Sequence, residues 1–347
     1  MPLWLAHPLS ANSLLSLVDW RTIAALTGLL ILSRGLEDSG YLARGGHWLL
    51  HRVHNTRSLA MLLIVFSAAL AAVVTNDVAL FIVIPLTLSL SRVTPLPVGR
   101  LIIFEALAVN AGSTISPIGN PQNLFLWQTS NASFIDFVVG MSPLAALLMA
   151  LLLLYACVGF ETKKLTLSEQ STETPVRSPL FWWSLALYPV FLILTEQGWA
   201  IPATMAVLIL FALRFRFVLA GVDWLLLLVF ALMFIDLGLL ARVDRVRELA
   251  LFSAELPGGW FTSAALLSQG ISNVPATILL AEFTDDWRLL AWGVSIGGFG
   301  FALGSLANLI ALRLARQPGL WREFHAWSVP LFLVSLALGG WLNMVLN

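Results

Sequence analysis

Val73-Val74-Thr75-Asn76-Asp77-Val78-Ala79-Leu80 decides how the chain is read, because three polar residues interrupt an apolar run that otherwise reads as buried helix. A second interruption follows: Gly112-Ser113-Thr114-Ile115-Ser116-Pro117-Ile118-Gly119-Asn120-Pro121-Gln122-Asn123. Lipid tolerates no unpaired backbone, so non-helical chain at membrane depth survives only where protein buries it or where it lines a cavity. Each polar break is therefore a candidate site before it is a loop.

The surrounding composition makes the membrane setting plain. Of the 347 residues 59% are hydrophobic and 11% charged, against roughly 25% charged in soluble domains, and the mean hydropathy is +0.89. At about 20 apolar residues per span, the length allows on the order of ten crossings or re-entrant pieces. The net charge of zero gives no field for nucleic acid, and the single Cys157 rules out a disulfide or cysteine-based zinc framework. No His-Glu-x-x-His or Gly-x-Ser-x-Gly motif is present, so the sequence points away from an enzyme, and no cofactor is expected. His47, His51 and His54 share one helical face; they could hold a metal, but no carboxylate or cysteine joins them, and an interfacial helix with snorkelling basic groups accounts for them equally. No metal site is assigned.

The arms on either side of Thr75-Asn76-Asp77, Ser58 to Val74 and Val78 to Leu90, are at or below the length of a crossing and predict a re-entrant hairpin. Leu101 to Trp127 is long enough to cross, but Pro117, Gly119 and Pro121 predict two half-helices about an unwound segment. Further spans are expected near 21–36, 141–160, 180–195, 200–219, 224–240 and 328–346, with amphipathic stretches before Arg57 and before Pro257. The apolar run broken at Ser272-Asn273-Val274-Pro275 and the glycine-rich run from Gly293 to Gly304 echo the first two breaks. Gly112, Gly119 and Asn123 recur as Gly297, Gly304 and Asn308 at a constant offset of 185, and Asp19-Trp20 recurs as Asp223-Trp224. The expected fold is an all-α membrane protein built as an inverted repeat, with two re-entrant hairpins and two broken helices. Residues 1–160 form the first, N-terminally short repeat, 161–178 a cytoplasmic linker and 179–347 the second repeat. Placing the first hairpin's mouth in the cytoplasm puts most Lys and Arg inside, with Arg21, Arg242, Arg245, Arg247 and Arg288 as the exceptions.

Half-helix ends supply partial charges of both signs, so such breaks can hold an anion and a cation together. The candidate substrate and ion contacts are Thr75, Asn76, Asp77, Ser113, Thr114, Ser116, Gly119, Asn120, Asn123, Ser272, Asn273, Thr277, Gly304 and Asn308. No basic residue lies among them, so substrate charge must be met by dipoles and amides, or the substrate binds neutral. Asp77 and Asp236 are the coupling candidates, as intramembrane carboxylates are costly and usually functional; the alternatives are a helix cap for Asp77 and a structural partner for Asp236. Asn110 is expected to bridge helices. Glu105 lies close to Arg100 in sequence and is expected to pair with it or to snorkel.

On Thr75 to Leu80, Asn110 to Asn123 and Ser272 to Thr277 the chain resembles the ion transporter superfamily of arsenite permeases, citrate-type and dicarboxylate carriers and sodium/proton antiporters. Thr-Asn-Asp and Ser-Asn-Val at the tips, where sodium-coupled dicarboxylate carriers show Ser-Asn-Thr, look most like the arsenite-permease branch. The resemblance implies scaffold and transport domains, elevator-type movement and a homodimer, with Asn76, Asn123, Asn273 and Asn308 as substrate or cation contacts. The function expected is secondary active transport of a small inorganic or organic anion of the citrate, dicarboxylate or arsenite class, coupled to protons or sodium, in a bacterial inner membrane. A sodium/proton antiporter of the same fold is the alternative, and an ion channel a more distant one. The partners expected are the anion, the bilayer and a second copy, with no nucleic acid.

Overall fold

The computed structural model describes residues 11–50, 53, 55–91, 95–165, 175–315 and 317–346. His51, Arg52, His54, Arg92 and Arg316 lie outside the described residues, and with them two members of the histidine trio. The described chain is helical, and an isolated bridge between Asn55 and Lys164 is its only strand-like pairing.

A short helix α1 (Ala11–Leu15) leads into α2 (Trp20–Asp38), then α3 (Tyr41–Leu50), α4 (Thr56–Val73), α5 (Asn76–Ser91), α6 (Val98–Ser113), α7 (Pro121–Thr129) and α8 (Phe134–Gly159). Next come α9 (Ser178–Glu196) and α10 (Ala200–Arg214), both packed on α2. A second series then runs α11 (Arg216–Ala220), α12 (Trp224–Leu240), α13 (Asp244–Ala254), α14 (Gly259–Ile271), α15 (Asn273–Leu280), α16 (Trp287–Gly297), α17 (Leu306–Ala315) and α18 (Leu320–Leu346).

The two series open the same way for the same reason. Asp19 Oδ1 accepts from the backbone N of Arg21 and Thr22 (3.0 and 3.2 Å), and Asp223 Oδ1 accepts from Leu226 N (2.9 Å), satisfying amides that have no partner in their own helix. Each following indole reaches back five residues: Trp20 Nε1 donates to Leu15 O (3.1 Å) and Trp224 Nε1 to Leu219 O (2.9 Å). Packing also recurs. α4 and α5 lie on α6 as α14 and α15 lie on α16, and α8 covers α6 as α18 covers α16. Between the series, α17 packs on α5 while α15 packs on α7. α5 and α15 thus each meet a short helix of the other series.

Close approach of α4 to α6 requires Gly112, where a Cβ would collide with the Ala68 backbone, and Gly297 lets α16 approach Ser268 of α14 in the same manner. Among the described residues four helices are long and apolar enough to cross a membrane, α4, α8, α9 and α18, or five if α12 and α13, bent by 90°, count as one. The 16-residue helices α5 and α6 reach only about 24 Å at 1.5 Å per residue, less than the roughly 30 Å hydrocarbon core.

Several boundaries differ from the sequence reading. Met141 does not begin the helix to Phe160; α8 starts at Phe134 because Ser133 and Asp136 form a reciprocal capping box. Ser328 lies within α18, which begins at Leu320, and the 200–219 span is divided at Phe215. Glu105 neither pairs with Arg100 nor snorkels. Arg100 Nε lies 3.3 Å from Glu323 of α18, and Arg100 Nη1 donates to Gly159 O (2.7 Å); Glu105 is 0% exposed and bonds Thr87 of α5.

Candidate functional site

The first break forms where α4 ends at Val73. Val74 and Thr75 leave the helix and α5 begins at Asn76, so Asp77 sits in the first turn of α5 rather than at its cap. Asn76 N donates to Gly119 O (3.1 Å), which ties the junction of α4 and α5 to the unwound chain between α6 and α7. That chain, residues 114–120, is held by its own asparagines. Asn120 Oδ1 accepts from Asn123 N (2.8 Å) and so caps α7, while Asn120 Nδ2 reaches Ser113 Oγ (3.1 Å) and O (3.3 Å). Asn123 Nδ2 lies within 3.1–3.2 Å of the carbonyls of Ser113, Thr114 and Ser116. Freed helix carbonyls are thereby gathered onto one amide, which is how irregular backbone can stay buried.

The structure leaves acceptors over at this break. Thr75 Oγ1, Asn76 Oδ1 and Asn123 Oδ1 are buried and make no hydrogen bond within the protein. A buried polar atom without a partner costs about 1–3 kcal/mol, and these three, on segments joined by the Asn76–Gly119 bond, have the chemistry to accept a donor or a cation. Asp77 is partly exposed.

The second break is built differently. Ser272, between α14 and α15, has φ 74° and ψ 157°, the sole non-glycine with positive φ among the described residues, a strained conformation of the kind that concentrates at functional sites. Its Oγ lies 3.4 Å from Asn273 Oδ1, and Thr277 Oγ1 donates to Asn273 O (2.7 Å). Asn308 Nδ2 donates to Gly298 O (2.9 Å), the position equivalent by the 185 offset to the Ser113 carbonyl that Asn123 holds. Gly304 lies against Gly297 O: a Cβ there would sit 2.5 Å away.

Groups from elsewhere supply the rest of this second hold. Asn110 of α6 donates through Nδ2 to Asn308 Oδ1 (2.8 Å) and Gly298 O (3.2 Å), and its Oδ1 accepts from Ser305 Oγ (2.9 Å). Gln269 of α14 donates to Gly297 O (2.8 Å) and accepts from Phe301 N (2.7 Å). His325 of α18 accepts from Ala302 N at Nε2 (3.2 Å), and its Nδ1 lies 2.7 Å from Trp321 O. The sequence reading missed Gln269 and His325. Gln269 stands one turn before the break and is legible as polar in an apolar helix, whereas nothing near His325 in sequence signals its contact.

The expected residues accordingly fall into two polar centres. Thr75, Asn76, Ser113, Thr114, Ser116, Gly119, Asn120 and Asn123 come together at the first, with Asp77 at its edge; Ser272, Asn273 and Thr277 stand at one junction of the second, Gly304 and Asn308 at the other. Asp236 is not joined to either: it is half-buried on α12, and no hydrogen bond links it to α5 or α15. A cavity of about 1010 Å³ opens away from both, at the far ends of α7 and α15, lined by Asp19, Asp136, Glu282 and Asp285 among others. Asp19 and Asp136 already serve there as helix caps.

A family model described as a citrate transporter, CitMHS, matches residues 1–297. The Escherichia coli K12 protein named inner membrane protein YbiR is 44% identical over 342 residues, 98% of this chain and 91% of that one. A Methanocaldococcus jannaschii protein named uncharacterized transporter MJ0456 is 33% identical over 303 residues, covering 86% of this chain and 82% of its own length. The rice silicon efflux transporter LSI3 (Oryza sativa subsp. japonica) is 30% identical over 137 residues, 40% of this chain and 28% of that protein.

Proposed function

The chain belongs to the CitMHS citrate transporter family and is an integral, multi-pass inner-membrane transporter; on that premise we propose that it is a secondary active carrier of a small anion, driven by protons or sodium. In this reading the two series are inverted repeats, α4–α5 and α14–α15 are re-entrant hairpins, and the two broken helices meet them near the bilayer midplane. Residues 1–160 and 179–347 are the repeats and 161–178 the linker. The α4–α7 and α14–α17 blocks move together against a scaffold, in an elevator-type step within a homodimer.

The observation that carries the reading is the set of buried acceptors at the first break, Thr75 Oγ1, Asn76 Oδ1 and Asn123 Oδ1, which no protein donor satisfies. Acceptors with a carboxylate at their edge suit a cation, sodium or a proton carrier such as hydronium. The half-helix N-termini at Asn76, Pro121, Asn273 and Leu306 suit the anion beside it.

A second reading concerns substrate charge. No Lys or Arg stands among the site residues, and a relative is named as a silicon efflux transporter, so an uncharged oxo-acid is a substrate class of equal chemical fit. Purified protein in proteoliposomes decides between them. Uptake of labelled citrate or succinate against a gradient, when a pH or sodium gradient is imposed, supports the anion carrier. Accumulation of silicic or arsenous acid, both uncharged near neutral pH, without citrate or succinate supports the neutral substrate. Sodium flux with no dependence on any of these favours the sodium/proton antiporter, and single-channel currents overturn the carrier.

A further inference from the structure

Glu105 is the one carboxyl in α6 and stands apart from every residue assigned above. It is 0% exposed. Thr87 Oγ1 of α5 donates to its Oε1, while Oε2 is buried and makes no hydrogen bond within the protein. No basic group pairs with it. Of the charged or titratable groups on the helices packed against α6, Arg57 of α4 donates to Phe160 O, Glu323 of α18 pairs with Arg100 of α6 itself, and His325 is engaged by Ala302 and Trp321. Asp77 lies ten residues before Thr87 on α5, about 15 Å along the helix. Asp136 is at the far end of α8 in the capping box, Tyr155 packs with Phe104 and Trp327, and Cys157, Arg313 and Arg322 make no bond to Glu105.

A carboxyl buried this way is not explained by folding. A glutamine or leucine would fill the space without the cost of an ionisable group in a dry interior, and intramembrane carboxyls without a structural counter-ion commonly carry ions or protons. Its place along α6 fits that use. Glu105 lies five residues, about 7.5 Å, inside Arg100 and eight residues, about 12 Å, before Ser113, where the helix unwinds. It therefore stands between one end of α6 and the first break, on the helix that forms that break.

We propose that Glu105 is a proton-carrying group of this transporter, binding and releasing one proton at Oε2 while Oε1 stays bonded to Thr87. The step is a proton transfer alone and needs no other reactant. This inference rests on reading the chain as a coupled carrier, and it assigns to Glu105 the proton step, leaving Asp77 as a contact at the break.

Infrared titration of the purified protein tests the inference without knowledge of the substrate. The wild type is expected to show a carboxylic-acid carbonyl stretch that Glu105→Gln removes and Asp77→Asn and Asp236→Asn leave in place. That band should shift to higher wavenumber in Thr87→Val, which takes away its hydrogen bond, and should disappear and return reversibly as the pH is raised and lowered. The Thr87→Val spectrum assigns the band even if Glu105→Gln fails to fold. A band that is missing in the wild type, that survives Glu105→Gln, or that stays unchanged across the pH range in which the protein is folded overturns the proposal. In proteoliposomes with citrate as probe, Glu105→Gln should keep citrate counterflow and lose uptake driven by an imposed pH gradient, down to the level of protein-free vesicles. Wild-type uptake under that gradient by Glu105→Gln contradicts it. If the wild type moves no citrate, the citrate reading falls, and the infrared titration decides on Glu105 by itself.

Discussion

The first break holds itself, whereas the second is held by its neighbours. Asn120 and Asn123 satisfy the unwound chain from within the same segment, while Gly297, Gly298, Phe301 and Ala302 are bonded by Gln269, Asn110 and His325 from three other helices. The first is left with three buried unpaired acceptors and a carboxylate; the second has its asparagine Asn308 bonded at both amide ends. Similar architecture thus carries different chemistry. A self-supporting break can offer atoms to a ligand without losing its shape, and one braced from outside is suited to fixing the geometry around it.

The largest effect should come from the close glycine packing at the first break. Gly112→Val drives a side chain into the Ala68 backbone and should cost about 3 kcal/mol or more, seen as loss of folded protein or a steep fall in melting temperature. Gly45→Val, with open space around it, should leave folding intact; equal damage from both would remove the close approach from the account.

Next in size, Asn123→Ala strips the donor from three carbonyls and should cost about 2–3 kcal/mol in thermal unfolding. Asn308→Ala should cost less, about 1–2 kcal/mol, as Asn110 still reaches Gly298 O. Adding Asn110→Ala to Asn308→Ala should bring the loss to the Asn123→Ala level. If Asn308→Ala alone is the more damaging, external bracing is not what holds the second break.

The breaks themselves were legible in the sequence, because Thr75-Asn76-Asp77, Pro117 to Pro121 and Ser272 to Pro275 are local departures from apolar helix. The glycine echo at 297 and 304 was legible through its fixed offset. What bonds them was not. Asn110 and Ser305 are neighbours only once two helices have packed, and the same holds for His325 and Ala302. Glu105 shows the error in the other direction. Nearness in sequence suggested Arg100, but the guanidinium turns to Glu323, over two hundred residues on, and the carboxyl turns to Thr87. Sequence spacing gives which residues share a helix; burial decides what each one does.

Smaller still, Ser272→Gly should raise stability by up to about 1 kcal/mol by releasing the positive-φ strain, with Ser272→Ala giving no such gain. A fall in melting temperature on Ser272→Gly would show that the strain is not borne there. No loss of folding is expected for Thr75→Val, which removes a hydroxyl that makes no hydrogen bond within the protein. Its unfolding should be no easier than that of the wild type and up to about 1 kcal/mol harder, as an unpaired buried hydroxyl is removed, whereas any ligand bound at the first break should be weakened.

That separation of folding from binding tests the central claim most directly. Melting temperatures are measured for wild type, Thr75→Val, Asp77→Asn and Ser272→Ala with citrate, arsenite or silicic acid, each in sodium and in potassium buffer, since a bound ligand stabilises in proportion to its occupancy. The shift seen in the wild type is predicted to disappear in Thr75→Val and Asp77→Asn, each compared with its own unliganded melting temperature, and to be only reduced in Ser272→Ala. A shift that survives both first-break variants and is lost in Ser272→Ala would place the ligand at the second break and contradict it.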